Sequence, residues 1–293
     1  MPDVVMDYTT MSDYLKCPRR GYYRHDCNIV PQTPATPLIF GGAIHEGLAS
    51  WYQYGDEEKA LESFRSYWDK ESQPPEGTEE GENLSDFQIS MTPSRPGDEK
   101  RNRDSGLDLL RRYFSHYEKE KESFEILSNE FPFNLPLGTN EGITYRLTGK
   151  IDLLVKWGDQ TYVMDHKTTS MLGPKYFDQF KLSMQMRGYA WAARELFGNC
   201  DGAMVNALFV GKTSKFARDI FAYTSEDFLL YVENTMAIMY DIYRARELQR
   251  FPMNTDACML YGSCPYREIC EARGNERVIR NRYTIREWNP FFA

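Results

Sequence analysis

The sequence predicts a single α/β domain built on a central mixed sheet flanked by helices, and three observations carry that expectation. Apolar residues recur at helical spacing on both sides of the chain's middle. The stretch 124–167 reads instead as a three-strand meander, with a tight turn at Gly158-Asp159-Gln160. A further helix and two more strands follow it. With 293 residues and 41% hydrophobic content, the chain has material for one such core.

Taken in order, Ser12 or Thr10 can cap a first helix running through Tyr14, Leu15 and Cys17 to about Tyr23. Pro31, Pro34 and Pro37 then enforce an extended loop. A second helix is expected from near Gly42, carrying His45, Glu46, Leu48 and Trp51, and a third over 57–68 with Leu61, Phe64 and Trp68 on one face. Residues 71–104 contain Pro74-Pro75 and a charged run from Asp98 to Arg103, with almost no apolar periodicity. They read as a mobile surface insertion, either without a role or acting as a lid over substrate.

A helix over 106–121 leads into strands at 124–131, 143–156 and 161–167. A long helix is expected over 175–197 and strands over 203–210 and 217–223. Thr224 or Ser225 then caps a last long helix reaching about Arg250. No internal repeat is visible.

The net charge of -8 argues against a protein that coats nucleic acid non-specifically, while leaving room for a local basic groove. No run approaches the roughly 20 apolar residues that span a bilayer, and Met1-Pro2-Asp3 begins no signal peptide, so a cytoplasmic location is expected. Of the six cysteines, Cys17 and Cys27 lie early, Cys200 stands alone, and Cys258, Cys264 and Cys270 crowd the end. That late trio looks like part of a ligand set rather than a disulfide framework.

The most informative segments are Gly149-Lys150-Ile151-Asp152 and, across the hairpin, Asp165-His166-Lys167. Side chains alternate along a strand, so Asp165 and Lys167 share a face and His166 points away, leaving its backbone carbonyl free as a further oxygen ligand. Two carboxylates from adjacent strands can hold Mg2+ or Mn2+. Such an ion neutralises charge on a phosphate and acidifies bound water, and a lysine beside it can orient that water or stabilise the transition state. Alone, an aspartate and a lysine at a strand end are equally well read as ordinary polar residues. Gln185 and Tyr189, four apart, share one face of a helix, with Lys181 one turn earlier, and Gly188 permits close backbone approach. His45 alone reads as a hydrogen-bonded buried histidine or as a ligand.

The set Gly41-Gly42-Ala43-Ile44-His45, GxxD ending at Asp152, Asp165-His166-Lys167 and Gln185-xxx-Tyr189 resembles the RecB-like branch of the PD-(D/E)xK nucleases. The resemblance implies a restriction-endonuclease-like core. It also implies that His45 binds metal with Asp152, Asp165 and the His166 carbonyl, that Lys167 is the catalytic lysine, and that Gln185 and Tyr189 position substrate or lysine. An imidazole in that shell favours Mn2+.

Cys17 in Cys-Pro-Arg-Arg, together with Cys258, Cys264 and Cys270, resembles the iron-sulfur exonucleases related to the AddB nuclease domain and the CRISPR-adaptation nucleases. That resemblance implies a four-iron four-sulfur cluster, with zinc the competing occupant. The pattern departs from those families in the longer gap between Cys258 and Cys264, and Cys27 is an alternative to Cys17. Residues 1–30 and 251–273 would then form an iron-sulfur region joining the two ends of one nuclease domain, 1–293, around a catalytic core at 124–223.

Lys16, Arg19, Arg20 and Arg24 interleave with Tyr14, Tyr22 and Tyr23. They read either as a path for single-stranded DNA or as a solvated helix face with core tyrosines. The expected activity is exonucleolytic hydrolysis of single-stranded DNA ends, 5′ to 3′ by default. A structure-specific endonuclease and a non-catalytic DNA-binding subunit of a recombination complex are the alternatives. No helicase motif is present, so unwinding would come from a helicase or recombination partner.

Overall fold

The strand β4 (Ile143–Trp157) is the axis of the computed structural model, which describes residues 3–32, 35–72, 100–118, 124–213, 215–259 and 263–289. β3 (Glu125–Asn140) lies antiparallel along nearly all of it. On its other edge β4 is shared. β1 (Asp3–Met6) pairs in parallel with 144–147, and β5 (Gln160–Thr169) pairs antiparallel with 153–157. β6 (Gly202–Phe209) then runs parallel to β5, and β7 (Lys215–Ala222) antiparallel to β6, giving the order β1-β4-β5-β6-β7 with β3 beside β4. The expected mixed α/β sheet is present.

Helices cover both faces. α3 (Thr36–Tyr54), α4 (Glu57–Glu71) and α5 (Arg103–Tyr117) bury Phe40, Ile44, Leu48, Phe64, Leu110 and Tyr113 against Leu153, Met164 and Met204. On the opposite face α1 (Tyr8–Lys16), α6 (Met184–Phe197) and α7 (Ser225–Glu247) bury Met11, Met186, Trp191, Phe228 and Tyr231 against Leu147, Val163 and Val205. Removing these apolar faces from water is the main favourable term holding the layers together.

Several sequence expectations need correction. The first helix is capped by Asp7, whose carboxylate accepts from the Thr9 and Thr10 amides, not by Ser12 or Thr10. It ends at Lys16. A short helix α2 (Pro18–Gly21) and a π-helical turn (Tyr22–Asp26) continue the chain. The second helix begins at Thr36, with Pro37 inside its first turn, where a proline loses no hydrogen bond. The long helix expected from 175 is split into a 3-10 turn (Tyr176–Phe180) and α6, whose cap is Ser183 accepting from the Met186 amide. Lys181 therefore does not extend the Gln185–Tyr189 face; it is exposed and pairs with Asp178 at 2.7 Å. Most of the 71–104 insertion lies outside the described residues.

The two ends of the chain meet. β2 (Ile29–Pro31) pairs with β8 (Tyr283–Ile285), and α8 (Arg267–Glu271) and α9 (Glu276–Arg282) precede that strand. Tyr23, Ile29, Tyr266, Ile269 and Tyr283 form a small separate core there. No described helix is long and apolar enough to cross a membrane.

Candidate active site

The ladder between β4 and β5 stops at Leu153↔Met164. Beyond that pair β5 runs on against β6 alone, so its other edge opens a gap beside β4. Backbone groups on that edge need partners that are not strands. The His166 amide donates to Asp152 Oδ2 at 3.1 Å, and the His166 carbonyl accepts from His45 Nε2 at 2.7 Å. β4 also changes sides here. Ile151 packs into one core, while Leu153 and Val155 pack into the other. The gap thus admits His45 from α3 on one layer and Gln185 from α6 on the other.

Four ionisable groups converge in it. Asp152 and Asp165 are 8% and 2% exposed, so each carboxylate needs compensation. His45 Nδ1 lies 3.1 Å from Asp152 Oδ2, and Lys167 Nζ lies 2.6 Å from Asp165 Oδ2. Burial opposes charge on His45, but the Asp152 carboxylate outweighs it and raises the imidazole to about 9. Both ring nitrogens accordingly donate. Burial likewise works against the Asp152 carboxylate, yet His45 holds its pKa below the ordinary range. Asp165 is pushed up by burial and by Asp152, with Lys167 opposing. Lys167 is raised because Asp165 overcomes its desolvation.

Lys167 Nζ also donates to Gln185 Oε1 at 3.1 Å, and Gln185 Nε2 donates to the Tyr189 hydroxyl at 3.3 Å. Two glycines make room for this helix. A Cβ at Gly149 would stand 3.1 Å from the Phe133 ring and 3.4 Å from Tyr189, and one at Gly188 would collide with the Tyr231 hydroxyl. All six side chains singled out from the sequence, His45, Asp152, Asp165, Lys167, Gln185 and Tyr189, therefore meet in one place. The His166 carbonyl is there too, although His45 occupies it.

Two features escaped the sequence. Glu130 lies on β3 between Asn129 and Phe131, the residues registered with Leu153 and Ile151, and so stands opposite Asp152. Its φ of 53° is left-handed, a costly conformation for a residue with a side chain. It pairs with Lys150 at 2.6 Å, and burial followed by the Asp152 charge raises its carboxyl. On the far side of β5, His166, Asn206 and Arg218 are in register across β5, β6 and β7. Asn206 Nδ2 donates to His166 Nδ1 at 2.8 Å and to the Tyr113 hydroxyl at 2.7 Å, while Arg218 Nε donates to Asn206 Oδ1 at 3.2 Å. His166 stacks on Tyr52 and burial lowers it to about 3, so it is neutral. A cross-strand row has no linear motif; only the isolated polar Asn206 in an apolar strand could have signalled it.

The cysteines form a second neighbourhood. The Asn254 amide donates to Cys17 Sγ at 3.3 Å, and the Cys264 amide donates to the Cys258 carbonyl at 2.8 Å. Burial raises the Cys264 and Cys270 thiols. Cys27, Cys264 and Cys270 pack against the small core where the chain ends meet, while Cys17 lies on the Asn254 side. Cys200 is a buried thiol in the main core. Among the described residues, no group of three or more His, Cys, Asp or Glu side chains is drawn together as a metal-holding set.

The proposed DNA path along the first helix is not supported. Arg20 and Arg24 both pair with buried Asp13, Arg19 Nε donates to the Phe251 carbonyl, and Tyr14 bonds Asp26 from inside the core. Those side chains hold the fold together.

A model of the PD-(D/E)XK nuclease superfamily matches residues 7–271, and the chain belongs to that superfamily. It is accordingly a deoxyribonuclease, a hydrolase of phosphodiester bonds. No curated protein matches. Among solved structures, SSO0001 is 12% identical with a TM-score of 0.38, covering 92% of this chain and 86% of its own. A protein of Eubacterium rectale provisionally described as an exonuclease is 11% identical with a TM-score of 0.47, covering 83% and 82%. Similarity at this level adds no argument about activity.

Proposed function

We propose that the chain is a DNA exonuclease acting on single-stranded ends, 5′ to 3′, with its centre at Asp152, Asp165 and Lys167. The observation that carries this reading is the pair of buried carboxylates where β4 and β5 part, with Lys167 Nζ 2.6 Å from Asp165.

The residues suit a divalent cation. Asp165 Oδ2 is buried and accepts no hydrogen bond beyond its ion pair with Lys167, a donor deficit that a cation relieves. Asp152, Asp165, His45 and the His166 carbonyl would hold Mg2+ or Mn2+, which when bound stabilises charge on the scissile phosphate and supplies hydroxide near neutral pH. To join that set His45 would release a proton to solvent and give up its bond to Asp152 or to the His166 carbonyl, freeing a nitrogen lone pair. Lys167 then presents its ammonium to a phosphate oxygen or to the attacking water. Gln185 orients Lys167, and Tyr189 orients Gln185. Glu130 keeps Lys150 beside Asp152, where it adds a cation for the DNA backbone.

In this reading Cys17, Cys258, Cys264 and Cys270 would hold a four-iron four-sulfur cluster, with zinc as the alternative. Its support is the packing of Cys264 and Cys270 against the small core where the chain ends meet. Strand separation would come from a helicase or recombination partner.

A covalently closed single-stranded circle and the same strand linearised test the mode of cleavage. An exonuclease degrades only the linear form. Cleavage of the circle would instead establish a structure-specific endonuclease.

A further inference from the structure

Resting on the single-strand reading, we propose that Tyr176, in the turn segment between Met171 and Leu182, is the stacking platform for the unpaired base next to the scissile phosphate.

Asp165, Lys167 and Thr169 alternate along one face of β5, so the catalytic face continues to the strand's end. There Thr169 Oγ1 accepts from the Met171 amide at 3.1 Å and donates to its carbonyl at 2.9 Å, turning the chain back. The 3-10 turn follows, closed by the Tyr176 amide donating to the Gly173 carbonyl at 2.9 Å. Phe177 and Phe180 pack against the core, and each meets the Tyr176 ring edge-on, with centroids 5.2 and 5.5 Å away. The phenol is thereby clamped with its hydroxyl within reach of Thr169, in the field of Lys167 and Asp165.

At the two ends of this segment, Met171 is 76% and Leu182 78% exposed, the two most exposed large hydrophobic side chains among the described residues. Neither can ligate a hard cation or bind a phosphate. A nucleotide, however, carries a phosphate on one side of its sugar and an apolar ring on the other. With the phosphate at Lys167, the base falls within a side chain's length of the turn. Tyrosine offers such a base a rigid π-face, and the thioether and isobutyl groups exclude water at its edges. A base held in a duplex has its faces covered by its neighbours, so the platform selects unpaired ends.

The test compares the parent, Tyr176→Ala and Tyr176→Phe on an end-labelled single strand. A matched set of strands carries one abasic tetrahydrofuran residue, scanned position by position, and kcat and KM are measured with Mn2+. For the parent, KM rises on the order of tenfold when the abasic residue reaches the platform. Tyr176→Ala shows that raised KM on the intact strand and no longer senses the abasic residue. Tyr176→Phe behaves as the parent, and Leu182→Ser loses part of the discrimination.

Tyr176→Ala that remains as sensitive as the parent, a parent insensitive at every position, or Tyr176→Phe as defective as Tyr176→Ala would each overturn the platform. A parent that digests duplex ends as fast as single strands, or digests neither, overturns the single-strand reading instead. That result is read from the parent alone, so the two failures are separable.

Discussion

His45 Nδ1 and Asp152 Oδ2 form a 3.1 Å ion pair inside the gap where β4 and β5 separate. The pair links α3 to the sheet and presets two of the four groups at the site. Because Asp152 is buried and His45 is only partly exposed, the charge state of the pair reaches into stability as well as chemistry.

The pH dependence has a definite sign. His45 is raised from 6.5 to about 9 in the folded chain, so its contribution is fully present below pH 6.5 and is lost as pH climbs through about 9. Urea unfolding in the presence of EDTA should show a falling midpoint over that window. His45→Gln should remove most of the decline, and an identical decline in the variant would refute the ion pair as its source.

Gln185 touches Lys167 rather than the reacting atoms, so it positions the lysine. Gln185→Leu is expected to lower kcat on the order of tenfold to a hundredfold with little change in KM, since small misplacements of a catalytic group carry costs of that size. Tyr189→Phe, one bond further out, should lose less. Single-turnover rates with saturating DNA would check the order, and a pure KM effect in Gln185→Leu would contradict it.

Asn206 braces β5 from behind. Asn206→Leu strands His166 Nδ1 and removes one partner each from the Tyr113 hydroxyl and Arg218 Nε, and should destabilise the fold by about 1–3 kcal/mol. It should also raise the Mn2+ concentration for half-maximal activity, because the His166 backbone holds both Asp152 and His45. Thermal unfolding and a metal titration measure the two effects, and an unchanged metal dependence would confine the row to a structural role.

The cysteine neighbourhood predicts brown protein from anaerobic purification, with about four iron and four sulfide per chain. Cys270→Ser should lose most of that iron and loosen the pairing of β2 with β8, seen as faster proteolysis at the chain ends. Stoichiometric zinc without iron would overturn the cluster.

Much of the catalytic geometry was legible in the sequence because strand alternation and helical spacing fix which residues share a face. Asp165 with Lys167, and Gln185 with Tyr189, needed nothing more. What failed depended on partners distant in sequence. β1 spans four residues, too few for a pattern, and is a strand because β4 offers it an edge. Tyr176, Phe177 and Phe180 imitate helical periodicity, so the break at Ser183 was invisible until its cap was seen. Glu130 sits in a strand with a backbone no propensity would assign to it. The arginines near Cys17 were open to reading as a DNA path or as a solvated helix face because Asp13, their partner, could not be recognised as buried.

The central claim is that Asp165 and Lys167 act as one hydrolytic centre. End-labelled single-stranded DNA incubated with Mn2+ and the parent, Asp165→Ala or Lys167→Ala tests it most directly, with circular dichroism confirming that each variant folds. The parent should shorten the strand from its end, and both variants should be slower by at least about a hundredfold. Digestion by either folded variant at the parent's rate would contradict the account.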